Sequence, residues 1–155
     1  MKRRSSVKSS KTYVVDTSVL LAYIVENATG REKVVELVEK ARRRELYLYT
    51  TYHVLSELLY ASSRIYEVLG YKDPNQLALN LVQWVWGFTN VAELNTDIAI
   101  RAGELKKNLR LALTDCYVIA TAEYINAKAL FLKVEKEMRD KLELLRRLPV
   151  EFIVG

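Results

Sequence analysis

The feature that most constrains this chain is an alternation of short, β-branched apolar runs with longer segments whose apolar residues recur at helical spacing. Residues 12–15 form such a run, end at Asp16 and are expected to be a buried strand. Thr17 and Ser18 are good N-cap residues, which predicts a helix over 19–25. Residues 32–44 carry Val34, Val35, Leu37, Val38 and Ala41 in an amphipathic pattern. A strand is expected at 46–49, a long helix at 52–69 stopped by Gly70, and a helix opened by Asp73-Pro74 that reaches about Gly87. A short strand at 91–94, helices at 97–109 and 115–127, a strand at 129–132, a helix at 135–146 and a strand at 151–154 complete the series. Strands that alternate with helices pack as an α/β fold, with a mostly parallel sheet and helices on both faces. The chain has 155 residues, few glycines and prolines, no internal repeat and no long linker, so one domain is expected over 12–155.

Composition narrows the chemistry. The only cysteine is Cys116 and the only histidine is His53, which excludes an internal disulfide framework and any Cys/His metal cluster, and points to a reducing, cytoplasmic setting. No apolar run is long enough to span a bilayer, and the basic N-terminus lacks the apolar core of a secretory leader. The net charge of +5 comes from one place: residues 1–11 hold Lys2, Arg3, Arg4, Lys8 and Lys11 and no acid. Without those five, 19 of the 24 basic residues remain against 19 acidic ones, so the body is formally neutral. The segment 1–11 is expected to be a disordered solubilising arm or an RNA-contacting arm.

Three acids stand where a carboxylate is costly without a partner. Asp16 closes the first strand, where it would either cap the next helix or face a ligand beyond the carboxyl end of the sheet. Glu57 borders the apolar stripe of Val54, Leu58 and Ala61 and should meet a cation or form a salt bridge. Asp115 lies in the first turn of a helix, with Thr114 the more natural N-cap, on the face of Val118, Ile119 and Ala122; the helix dipole favours an acid there even without function. Taken together, the three suit a hard divalent cation such as Mg²⁺ or Mn²⁺, which prefers oxygen ligands.

The blocks Val14-Val15-Asp16-Thr17-Ser18, Ser56-Glu57-Leu58 and Leu113-Thr114-Asp115-Cys116-Tyr117-Val118-Ile119-Ala120-Thr121-Ala122 resemble a PIN domain and are similar to the VapC toxins of prokaryotic toxin–antitoxin pairs. The resemblance spans nearly the whole chain after the basic segment. It implies a three-layer α/β/α fold, Mg²⁺ or Mn²⁺, and endonucleolytic cleavage of RNA. It would make Asp16, Glu57 and Asp115 catalytic metal ligands, with Thr17 or Ser18 hydrogen-bonding near the first acid and Thr114 in support. The family's fourth acid falls best on Glu135 and second best on Glu137; the threonine that usually precedes it is missing here. Both glutamates also fit a solvated helix face paired with Lys133 or Lys136.

Other residues have plainer readings. His53, one turn before Glu57, is a polar helix-start residue that could touch the site; Cys116 is a packed thiol; Asp97 belongs to a helix start. Arg42, Arg43 and Arg44 suit a helix C-terminus or a phosphate. Leu77, Leu79, Leu81, Val82, Trp84, Val85, Trp86 and Phe88 crowd one helix on more than one face, which fits either simple core or a subunit or partner contact; a homodimer is predicted, with Trp84 or Trp86 within or beside a partner-binding surface that a small antitoxin could also use. Lys106, Lys107, Arg110, Lys133 and the N-terminal segment are candidate RNA-backbone contacts. The reading is a Mg²⁺-dependent endoribonuclease of the toxin type. Its alternatives are an RNA-processing nuclease of the same fold and a degenerate RNA- or protein-binding module without cleavage. No glycine-rich phosphate cradle is present to favour a nucleotide-binding enzyme.

Overall fold

A computed structural model describes residues 11–155. The elements run β1 (Thr12–Val15), α1 (Thr17–Ile24), α2 (Arg31–Arg42), β2 (Tyr47–Thr50), α3 (Tyr52–Val68), α4 (Pro74–Phe88), β3 (Asn90–Val91), α5 (Thr96–Leu109), α6 (Leu113–Tyr124), β4 (Lys128–Phe131), a 3₁₀ segment (Lys136–Lys141), α7 (Leu142–Leu145) and β5 (Val150–Phe152). The five strands form one sheet in the order β3-β2-β1-β4-β5, and every neighbouring pair is parallel. The expected α/β class and parallel sheet are therefore observed. β1 is flanked on both sides, with Val14 opposite Tyr49 of β2 and Ala129 of β4. Val14, Val15 and Ala129 are fully buried, as strands covered on both faces require.

Of the expected basic arm, residues 1–10 lie outside the described residues. Lys11 is described, and its carbonyl accepts from the Tyr47 amide at 2.9 Å, so it already extends the β1–β2 ladder. Among the described residues no helix is long and apolar enough to cross a membrane.

Several boundaries differ from expectation for identifiable reasons. The N-cap of α1 is Asp16, not Thr17 or Ser18: its backbone is extended and its side chain accepts from the Ser18 amide, so the helix starts two residues early. Thr114 does not cap α6; Ala112 does, without a side-chain bond, because the helix already begins at Leu113. α6 ends at Tyr124 instead of running to 127, closed by left-handed Asn126 (φ 56°) and by bonds from the Asn126 amide to Glu123 and the Ala127 amide to Ala122. The third strand is only Asn90–Val91. The helix expected over 135–146 is a 3₁₀ segment followed by one short α-turn. It buries only Met138 and Leu145, too little apolar surface to hold a longer helix against the sheet. Gly30, at φ 82°, opens α2 where a side chain would strike Val154 Cγ2 at 2.6 Å, so the C-terminus packs over that turn.

The core is continuous across the sheet, with Leu58, Phe131, Ile98, Ile119 and Leu111 fully enclosed. α4 presents Ala78, Leu81 and Val85 inward, while Trp86 is 63% exposed and Leu79 partly so. Trp84 is half-buried against Tyr23 and Phe88, each with ring centroids 4.7 Å away. Replacing Leu58 by alanine should therefore cost ~2–5 kcal/mol in urea denaturation, whereas Trp86→Glu should stay within ~0.5 kcal/mol. Equal losses for the two variants would contradict this assignment of inward and outward faces.

Candidate active site

In an open parallel sheet, ligands bind beyond the carboxyl ends of the strands, where successive connections leave to opposite sides. That place is beside β1, which has β2 on one flank and β4 on the other. Asp16 sits at the end of β1 and is only 4% exposed. Its amide donates to the Leu130 carbonyl at 2.9 Å, which carries the ladder one residue further. Its two carboxylate oxygens have different surroundings. Oδ2 accepts from the Ser18 amide at 3.1 Å. Oδ1 is buried and has no hydrogen-bond partner among the described residues. The choice between helix cap and ligand-facing acid is thus not exclusive: one oxygen caps α1 and the other is left over.

Three further elements bring acids to this place. α3 follows β2 and is started by Thr51, whose hydroxyl accepts from the Val54 amide at 3.0 Å; it carries half-buried Glu57 one turn further on. α6 begins at Leu113 and holds Asp115 in its first turn. The segment after β4 brings Glu135, whose backbone is extended where the 3₁₀ turn begins. Ser18 helps fix that segment, because its hydroxyl accepts from the Leu132 amide at 3.2 Å.

The electrostatics reveal the convergence. Burial pushes the Asp115 carboxyl up to about 8, and the negative charges of Asp16, Glu135 and Glu57 push the same way. Asp16 is raised by burial above all and by Glu57, against the lowering effect of its bonds to Ser18 and Thr17. Glu135 is raised by burial and by Asp16, Glu137 and Glu57, with Lys133 opposing. Asp16, Glu57, Asp115 and Glu135 therefore share one neighbourhood. Among the described residues none of the four forms a salt bridge with lysine or arginine.

The supporting residues divide. Ser18 is engaged as described. The Thr17 hydroxyl is buried and unpartnered, and Thr114 lies half-buried in the first turn of α6. Glu137 is exposed on the 3₁₀ segment and approaches Glu135 from outside. Asp97 is in the first turn of α5, which Asn95 caps through the Ile98 amide at 2.9 Å. Cys116 is buried, and burial with the neighbouring Asp115 charge pushes its thiol up to about 11, so it is a packed thiol.

The donor set fits a hard divalent cation. It is made of carboxylate oxygens, one of them buried with no partner, and it carries more negative charge than the enclosed space tolerates. Among the described residues, no three acidic, histidine or cysteine side chains are drawn close enough to enclose an ion. Sequence reasoning missed one neighbour of this site. Tyr117, two residues beyond Asp115, stacks on His53 with ring centroids 3.9 Å apart. Its only sequence signal was its place in the Asp115 block.

A family model described as the PIN domain matches residues 13–149. The chain belongs to the PIN-domain family. No curated protein matches it significantly. Solved structures with the same PIN fold include VapBC2 from Rickettsia felis bound to a DNA fragment from its promoter. It is 16% identical, with a TM-score of 0.63, over 91% of this chain and 98% of that one. VapBC-1 from nontypeable Haemophilus influenzae is 15% identical at a TM-score of 0.62, over 93% and 99% of the two chains. VapC20 from Mycobacterium tuberculosis, described as a sarcin-ricin loop cleaving toxin, is 15% identical at a TM-score of 0.58, over 76% and 86%.

The Asp115 shift gives this PIN domain a specific pH response. Asp115 holds its proton more tightly folded than unfolded. Its contribution to stability is therefore complete below the unfolded value of 3.8 and is lost as pH rises through about 8. In chelator-treated protein, Asp115→Asn should gain in Tm relative to the parent as pH is raised from about 4 to about 8. Parallel Tm curves for the two proteins across that range would contradict the crowding of acids around Asp115.

Proposed function

We propose that this PIN domain is a divalent-metal-dependent endoribonuclease, the toxin partner of a VapBC-type toxin–antitoxin pair. One observation carries the reading: the Asp16 carboxylate is buried at the switch point of the sheet with Oδ1 unpartnered, among Glu57, Asp115 and Glu135, with no lysine or arginine paired to any of them among the described residues. Such a group is stable as an anion only with a cation present, and a phosphodiester would be repelled from it without one. Asp16, Glu57, Asp115 and Glu135 would hold Mg²⁺ or Mn²⁺. When bound, the ion supplies charge neutralisation of the scissile phosphate and an acidified water.

The protein's own residues do the rest. The Ser18 amide orients Asp16 through Oδ2, leaving Oδ1 for the ligand. Lys133, whose charge opposes the upward shift of Glu135, stands at the rim. Lys107 and Arg110 are exposed near the start of α6, and Lys106 braces the same loop by donating to the Leu111 carbonyl at 2.9 Å. These cations would hold the RNA backbone without reading its sequence. The sarcin-ricin loop cleavage ascribed to VapC20 supports RNA as the substrate class. The VapBC structures support an antitoxin partner. The presence of Glu135 beside Asp16 and Glu57 favours cleavage over a binding-only module, because a carboxylate stands where the resemblance calls for the fourth acid. Exposed Trp86 supports association into a homodimer or with an antitoxin.

Asp16→Asn is the direct test. Asparagine is as good an N-cap as aspartate, so α1 and the fold should survive while one anionic ligand is lost. RNA cleavage with Mn²⁺ should fall by at least ~100-fold with Tm preserved, in line with loss of a group that acts only on the reacting centre. Cleavage at the parental rate would reduce Asp16 to a helix cap, and a parent that cuts no RNA with Mn²⁺ present would overturn the nuclease reading. Trp86→Glu should weaken assembly in sedimentation while leaving Mn²⁺ affinity unchanged; a parent that stays monomeric at high concentration and binds no antitoxin would remove that part.

A further inference from the structure

α6 carries Asp115 yet has no single apolar face to fix its rotation. Cys116, Val118, Ile119, Ala120, Thr121 and Ala122 are all buried, and they point in every direction around the helix. Close packing holds such a helix on every side, but no single stripe marks the orientation that its acid requires. Rotating the helix displaces Asp115: at ~5 Å from the helix axis, a rotation of ~20° moves a side-chain group by ~2 Å. Metal–ligand distances tolerate only ~0.2 Å. A directional contact near Asp115 adds a precision that packing of small side chains supplies less well. The Arg101–Glu123 ion pair, at 3.1 Å, ties α6 to α5 but lies at the far end of the helix.

The contact near Asp115 is the His53–Tyr117 stack, with centroids 3.9 Å apart and planes inclined by 20°. His53 is on α3, one turn before Glu57, and Tyr117 is on α6, two residues after Asp115. The stack thus joins the two helices that deliver two of the four acids, at the level of those acids. Stacked rings have a preferred mutual geometry that contributes stability beyond the area they bury, so the pair favours one orientation of α6 against α3. His53 Nδ1 is buried without a hydrogen-bond partner among the described residues, so no bond at that nitrogen orients the ring and the stack on Tyr117 does.

We infer that His53 and Tyr117 are positioning residues, whose stack sets the separation of Glu57 and Asp115 and thereby the affinity of the site for its cation. This rests on the metal-site reading above. The test measures Mn²⁺ affinity by electron paramagnetic resonance on the full chain, alongside the metal-free Tm. His53→Leu keeps apolar bulk but loses the flat ring, and Tyr117→Leu does the same on α6. Each should weaken Mn²⁺ binding by at least ~10-fold, as loss of a ligand-orienting contact does. The double variant should be little worse than either single one, because both remove the same contact. His53→Phe keeps the ring and discards the nitrogens; it should restore affinity to near the parental value. Unchanged affinity in His53→Leu, with the parent binding Mn²⁺, would overturn the inference alone, as would a lowered metal-free Tm with affinity intact. A His53→Phe variant as weak as His53→Leu would overturn it in favour of a nitrogen ligand. A parent that binds no Mn²⁺ would overturn the metal-site reading itself.

Discussion

A carboxylate that is almost entirely enclosed cannot remain an anion without compensation, and Asp16 is held in that condition by the most central strand of the sheet. The rest of the molecule is arranged around this constraint. β1 is paired on both sides and covered on both faces, so its end is a fixed point. The Leu130 carbonyl takes the Asp16 amide, the Ser18 amide takes one carboxylate oxygen, and the Ser18 hydroxyl takes the Leu132 amide. Three short bonds thereby connect the end of β1, the start of α1 and the exit from β4. The acid on β1 and the acid that follows β4 are consequently parts of one rigid corner.

The two carboxylate oxygens of Asp16 are in different environments. A helix N-terminus offers unsatisfied amides and a favourable dipole, and Oδ2 of Asp16 uses them. Those interactions lower its pKa, but burial and the Glu57 charge prevail and raise it. Asp115 lacks a comparable set of bonds and is raised further, to about 8. This balance disfavours a full set of carboxylate charges at the site and leaves Asp115 the group that holds its proton most tightly. The proposed cation would relieve the same crowding of negative charge.

Much of this was legible in the residues. The β-branched run ending at Asp16 identified β1, the apolar stripe beside Glu57 identified the buried side of α3, and the small residues after Asp115 identified a helix that packs closely on the sheet. What misled was local chemistry with two equally good local solutions. Thr17 and Ser18 are strong N-cap types, yet Asp16 caps the helix, because the strand holds its backbone extended at the turn. Thr114 is likewise a better cap type than Ala112, but α6 starts before it. The stretch after β4 has helical spacing but too little buried surface to sustain more than a 3₁₀ turn and four helical residues.

The sequence by itself determined the alternation of elements, the parallel sheet, the family blocks and the three acids that such a fold sends to one end, since these follow from apolar periodicity and from residue types at strand and helix ends. Only the tertiary structure sets Glu135 in the field of Asp16 and Glu57 and leaves Glu137 exposed. Both are acids two residues apart in a charged run, and their surroundings depend on how the backbone turns after β4. Tertiary structure alone also paired His53 with Tyr117, residues from different helices and distant in the chain. A stacking contact leaves no periodic trace in either helix. It exists only because the sheet brings α3 and α6 side by side, and the positions of the site's carboxylates depend on that same packing.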